Sequence, residues 1–229
     1  MDYIVNSAFG AVVITLLAYE IGCIIKKRFK IAIFNPLLIS IVLIIGLVLC
    51  FNIDYQVYKN GSQIISYLLT PATVALAIPL YEQIEQLKKN WKAIILGISS
   101  GALTSAVCVL DMSYLFRINH QMYVTMLPKS ITTAIGMGLS EEMGGIVTIT
   151  VAVIIVTGIF GNMTAEFVCK IFNITEPVAK GIGIGSAAHA MGTTKAMEIG
   201  ESEGALSSLS IAVSGIMTVV VASVFAYFY

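Results

Sequence analysis

Residues 93–110, 144–165 and 204–229 carry no charged side chain, and each run is long enough to cross a bilayer, which asks for about 20 apolar residues. A chain built this way does not close around one water-facing core; it distributes itself over several membrane spans. Residues 31–81 form a further run interrupted only by Asp54 and Lys59, and it divides at the polar stretch 52–60 into spans 31–51 and 61–81. The first apolar run, 3–25, holds one carboxylate, Glu20, beside the basic cluster Lys26, Lys27, Arg28 and Lys30. It lacks a positive n-region and ends in basic residues instead of a small-residue cleavage site, so it is expected to remain as a membrane anchor.

Composition narrows the function classes. Hydrophobic residues make up 58% of the chain, against about 45–50% in soluble domains. Thirteen basic residues balance thirteen acidic ones with no cationic stripe, which excludes nucleic acid as a partner. Cys23, Cys50, Cys108 and Cys169 are scattered one per apolar stretch, without metal or disulfide spacing. His189 with Glu141, Glu142 and Glu198 lacks the His-xxx-His or Cys-xx-Cys spacing of a metal site. No Gly-x-Ser-x-Gly elbow, Ser-xx-Lys or carboxylate pair tied to a nucleophile is present, so neither catalysis nor a cofactor is expected. The GIGIG stretch, 181–185, follows no strand and lacks dinucleotide spacing. It reads as close helix packing, as does Gly97-xxx-Gly101, which also offers a face for homo-oligomers.

Three segments are more polar than lipid tolerates. Thr70, Pro71 and Thr73 stand near mid-span in TPATVALAIPLY, with Pro79 eight residues after Pro71. Freed carbonyls are accepted at that depth only beside protein or a wet cavity, so this segment reads as a broken helix or, in the simpler alternative, a kinked one. PKSITTAIGMGLSEE, 128–142, is short for a crossing, ends in Glu141 and Glu142, and suits a re-entrant segment. GIGIGSAAHAMGTTKAMEIG, 181–200, sets His189 and Lys195 in a run of small and hydroxyl residues. A lysine at mid-bilayer costs roughly 2.5–3.5 kcal/mol on insertion scales, so it demands a partner or a water-filled cavity.

The order of uncharged span, broken polar segment and uncharged span occurs twice, giving repeats at about 31–112 and 144–229 joined by a linker and re-entrant segment at 113–143. If 128–142 dips in and out, nine of the thirteen basic residues fall on the cytoplasmic side and the repeats are inverted. The expected fold is all-α and polytopic: about seven transmembrane helices plus a re-entrant segment, two inverted repeats with broken helices, an outside amino terminus, and the loop of Glu198, Glu201 and Glu203 outside.

The polar residues of these segments suit a small anion. Lys129, Ser130, Thr132 and Thr133 open one short helix, and Gly192, Thr193, Thr194 and Lys195 lie in another, where helix amino termini attract carboxylates. Lys129 reads equally well as an interfacial lysine reaching for headgroups. Lys195 lies three residues before Glu198 and six after His189. A Lys195–Glu198 pair would lower the insertion cost and open to a substrate carboxylate, with His189 as a proton-coupled neighbour.

At these residues the sequence resembles the LrgB/CidB family, whose members carry a PKSVTTPIAM-like stretch and a later G-x-x-S-H-A-x-G-T-A-R-A-x-E stretch. Here they stand as PKSITTAIGM, 128–137, and GSAAHAMGTTKAME, 185–198, and the resemblance covers nearly the whole chain. Ala134 replaces a common proline, Ala188 a serine and Lys195 an arginine, the last losing bidentate carboxylate geometry. The resemblance implies a multi-pass bacterial inner-membrane protein working with a small LrgA/CidA-like membrane partner. It implies either transport of small monocarboxylates such as pyruvate or glycolate, or holin/antiholin-like regulation of murein hydrolases and autolysis.

Overall fold

The computed structural model describes residues 8–29, 34, 36–68, 71, 81 and 84–229, and every regular element among them is an α-helix. Two compact units divide the chain, 1–75 and 76–229.

In the first unit α1 (Ala8–Phe29) packs on α2 (Pro36–Cys50), and the short α3 (Tyr55–Gly61) and α4 (Gln63–Tyr67) follow. Lys26, Lys27 and Arg28 fall in the last turn of α1, where the helix dipole favours cations. Gly22 is needed at the α1–α2 contact, because a Cβ there would stand 2.6 Å from Pro36 O. Asp54 caps α3 by accepting from Gln56 N at 2.8 Å, and Tyr58 Oη bonds Thr15 Oγ1 at 2.7 Å, tying α3 to α1. Of the span expected at 61–81 only the beginning is described, with Pro71 and Tyr81; Thr70, Thr73 and the break expected around them lie outside the described residues.

The second unit holds α5 (Ile84–Phe116), α6 (His120–Met126), α7 (Thr133–Glu142), α8 (Val147–Ile171), α9 (Pro177–Ile199) and α10 (Glu201–Phe225). The three uncharged runs become the bodies of α5, α8 and α10. Together with α1, these are the four described helices long and apolar enough to cross a membrane. Their burial is inverted relative to a soluble protein: Val156 and Phe167 on α8 and Ile216 and Val220 on α10 are exposed, whereas Thr150, Ser207 and Ser210 are fully buried. Hydroxyls inward and aliphatic side chains outward is the arrangement that lipid selects.

Helices α5 and α10 run side by side in one direction. Ile94 and Ile98 pack with Leu206 near the start of both, and at the far end Tyr114 donates to Phe228 O at 2.9 Å and Tyr229 to Ser113 O at 3.0 Å. Helix α8 runs the other way. The bundle therefore has a lysine end, with Lys88, Lys89, Lys92, Lys170 and Lys180, and a tyrosine end, where Tyr114 and Tyr123 pack against Tyr229 with ring centroids 4.7 and 5.2 Å away.

Between these three helices the chain makes two hairpins. From the tyrosine end α6 enters, a buried turn at 127–132 reverses it, and α7 returns, with Leu139 packing beside Tyr123 and Val124. The segment expected to dip, 128–142, forms the turn and the second limb of this hairpin, whose first limb begins at His120. From the lysine end, 177–188 enters, His189 breaks the helix at φ 44°, ψ −135°, and 190–199 returns along the ingoing limb. Ile184 and Ala196 accordingly share one apolar cluster, although a continuous helix would hold twelve residues about 18 Å apart. Gly192 permits this doubling, since a Cβ there would stand 2.6 Å from Ile184 O. Such a φ costs a non-glycine residue about 1–3 kcal/mol and persists only where the surroundings fix it. Here His189 Nε2–H donates to Ile154 O at 3.1 Å and its ring fills the space beside Gly158.

The structure differs here from the sequence expectation. Residues 181–200 do not run from one end of the bundle to the other, which removes one of the seven expected crossings and returns Glu198, Glu201 and Glu203 to the lysine end. Small residues satisfied both readings, because they suit a straight helix in close packing and a limb folded on its neighbour. GIGIG does serve packing: Cβ atoms at Gly181 and Gly185 would stand 2.7 Å from Glu203 O and 2.5 Å from Ser207 O on α10. Gly185→Val meets backbone that no rotamer change relieves, so it is expected to cost about 1–3 kcal/mol. Gly183→Ala, with nothing within 4 Å, should leave stability unchanged. Thermal unfolding of both variants in detergent checks the contrast.

Candidate functional site

The two hairpin tips reach the middle of the second unit, where a cavity of about 970 Å³ opens between them and α5, α8 and α10. Ser100, Thr104 and Ser105 line it from α5, Thr157 and Thr164 from α8, Ser186 from α9, and Ser214 and Thr218 from α10. Phe160, Gly101 and Gly161 supply apolar wall. Gly101 meets Ser186 and Gly97 meets Ile182, so the Gly97-xxx-Gly101 pair is used within the chain, against α9.

Lys129 and Ser130 sit on the turn of the first hairpin and line this cavity. Lys129 Nζ donates to Ser130 Oγ at 3.1 Å, and Ser130 Oγ lies 3.4 Å from Ser105 Oγ. Among the described residues no carboxylate forms an ion pair with Lys129. A half-buried cation bonded to a serine can hold an anion: it supplies charge, the serines supply adjustable donors, and the apolar wall limits size, while Glu176 lines the same cavity from the start of α9.

Lys195 is placed otherwise. It stands on the return limb of the second hairpin, 2.5 Å from Glu166 Oε1 on α8 and 3.1 Å from Glu198 Oε2, and it does not line the cavity. The Lys195–Glu198 pair was legible as an i, i+3 spacing; Glu166, 29 residues earlier, was not. Two carboxylates meet the need for a partner and strap the return limb to α8 beside the bond from Asn162 Nδ2 to Met191 O at 2.7 Å. Thr193 Oγ1 donates to His189 O at 3.1 Å and lies 2.8 Å from Ser207 Oγ, anchoring the limb to α10, while exposed Thr194 donates back to Ala190 O at 3.2 Å.

The remaining expected site residues are scattered. Thr132 caps α7 without a side-chain bond and Thr133 begins it, next to the turn but off the cavity wall. Glu141 is exposed near the far end of α7, and Pro71 belongs to the first unit. His189 and Gly192 build the hairpin. Sequence reasoning missed the hydroxyl stripe of α10, Ser207, Ser210, Ser214 and Thr218, all buried. Its spacing of three and four residues within an uncharged span was the signal available.

Comparison with known proteins agrees with these motifs. No solved structure matches the chain. The family model described as LrgB-like family matches residues 15–228. Proteins named antiholin-like protein LrgB from Bacillus mycoides (strain KBAB4), Bacillus cereus (strain B4264) and Bacillus anthracis (strain CDC 684 / NRRL 3495) are each 37% identical over 218 residues, covering 95% of this chain and 94% of theirs. Matched over almost its full length by the family and by these relatives, the chain belongs to the LrgB-like family.

Proposed function

We propose that this protein moves small monocarboxylates, such as pyruvate or glycolate, across the bacterial cell membrane by alternating access, in company with a small LrgA/CidA-like subunit. The observation that carries the proposal is Lys129: a cation without a carboxylate partner, at a hairpin tip, in a hydroxyl-lined cavity. Hairpins entering from opposite ends support it. Helix α5 with the α6/α7 hairpin and α8 with the α9 hairpin follow one another in the same order, and this reading takes 84–142 and 147–199 as the inverted pair where the sequence suggested 31–112 and 144–229. Five lysines at one end against Arg117 at the other orient that end to the cytoplasm. Neither catalysis nor a cofactor enters this reading.

The relatives' names favour a second reading, an antiholin-like regulator of murein hydrolases. Proteoliposomes separate the two. Saturable uptake of radiolabelled pyruvate above that of empty vesicles, with the chain alone or with an LrgA-like subunit, is the expected result. Uptake indistinguishable from empty vesicles in both preparations would leave the regulator.

A further inference from the structure

We propose that Ser214 is a specificity-determining residue of this cavity, donating its hydroxyl to an oxygen that the substrate carries beside its carboxylate; the proposal rests on the transport reading above. The cavity is built to take a short acid with an acceptor on the carbon next to the carboxylate in preference to an unsubstituted acid of the same length.

Many helical serines of this chain bond back to their own helix. Ser186, Ser208, Ser210 and Ser223 each donate to the carbonyl four residues earlier, at 2.7–3.0 Å. Ser214 does not. Its Oγ is buried and is the one buried side-chain nitrogen or oxygen among the described residues without a hydrogen-bond partner. A hydroxyl removed from water and left unpaired is unfavourable, so its retention calls for a partner that comes and goes.

Its position says what that partner is. Ser214 lines the same cavity as Lys129 and Ser130, with Thr218 one turn on. The adjacent Gly215 faces Ile135 in the first turn of α7, a Cβ there standing 2.7 Å from Ile135 Cδ1, so α10 passes the first hairpin at this level. Ser214 Oγ has no accessible surface of its own, so it donates to an anion held by Lys129 and Ser130 once its side chain turns into the cavity that the residue lines. A carbonyl or hydroxyl oxygen on the second carbon fits that donor; a methylene leaves it unpaired. Discrimination by an unmet buried donor is stronger than discrimination by apolar fit.

Cys108 lines this cavity and is exposed, which makes it a native reporter. With Cys23, Cys50 and Cys169 replaced by alanine, maleimide labelling of Cys108 in the full chain is measured against increasing pyruvate or propionate, which differ in the oxygen on the second carbon. Pyruvate is expected to protect at about tenfold lower concentration than propionate, a factor set by one hydrogen bond. Ser214→Ala should raise the pyruvate requirement to that of propionate and leave propionate unchanged. Ser214→Thr, which keeps the hydroxyl, should preserve the preference, and Ser210→Ala, which removes a hydroxyl already bonded to Leu206 O, should preserve it as well. Equal protection by the two acids in the parent protein, or a preference that survives Ser214→Ala, overturns the role of Ser214 and leaves the cavity as a carboxylate site. No protection by either acid overturns both the Ser214 proposal and the transport reading.

Discussion

Lys129→Met is expected to lower the initial rate of pyruvate uptake ten- to a hundredfold at subsaturating substrate, while the protein still purifies as a folded species. The magnitude follows from losing one charge-assisted contact, about 1.5–3 kcal/mol, or one to two decades in affinity. Folding should survive, because among the described residues Lys129 has no carboxylate partner that neutralisation would strand; its side-chain hydrogen bond goes to Ser130, which retains Ser105 nearby. Lys129→Arg keeps the charge and should retain part of the activity. Lys195→Met is the informative contrast. It strands Glu166 and Glu198, both well exposed, so water screens the consequence and the loss should be the smaller of the two. A steeper fall for Lys195→Met than for Lys129→Met would return the carboxylate to the second hairpin, where the sequence alone had placed it.

The second large effect is all or none. On a cysteine-free background, Ser202→Cys and Lys89→Cys should react with a membrane-impermeant maleimide only after permeabilisation, whereas Arg117→Cys should react in intact cells. Ser202 follows the return limb of α9, and α10 starts beside α9: Thr193 meets Ser207, and Gly181 packs on Glu203. A dip at 128–142 followed by a full crossing at 181–200, the arrangement expected from the sequence, puts Ser202 opposite Lys89 instead. Labelling of Ser202→Cys in intact cells, with Lys89→Cys silent, would mean that 177–199 crosses and that the cavity between two tips does not form.

These contrasts show what one-dimensional reading captures. An uncharged run states its own membrane propensity, so 93–110, 144–165 and 204–229 mapped directly onto α5, α8 and α10. The segment 128–142 was read as a dip because fifteen residues ending in two carboxylates are short for a crossing, and its helical part in the structure, α7, is ten residues long. Direction was not legible in 177–199. Its length fits a span, and the reversal depends on contacts from other helices: Ile154 O for the imidazole, Gly158 and Gly161 for room, Glu166 for Lys195. The cation of the proposed site was legible as a residue but not as a choice. Lys129 and Lys195 both stand among hydroxyls in the sequence, and only the fold gives one of them two carboxylates and the other none.

Ile154 belongs to both hairpins at once. Its carbonyl takes the imidazole at the tip of one, and its side chain lies against Gly136 in the returning helix of the other, with no surface of its own exposed. One residue of α8 is thus the common hinge-pin of two doors hung from opposite walls. Under the transport proposed above, a displacement of α8 that moves the seat of one tip would also move the seat of the other, so admission at one face and release at the opposite face would compete for one residue, through its carbonyl and through its side chain.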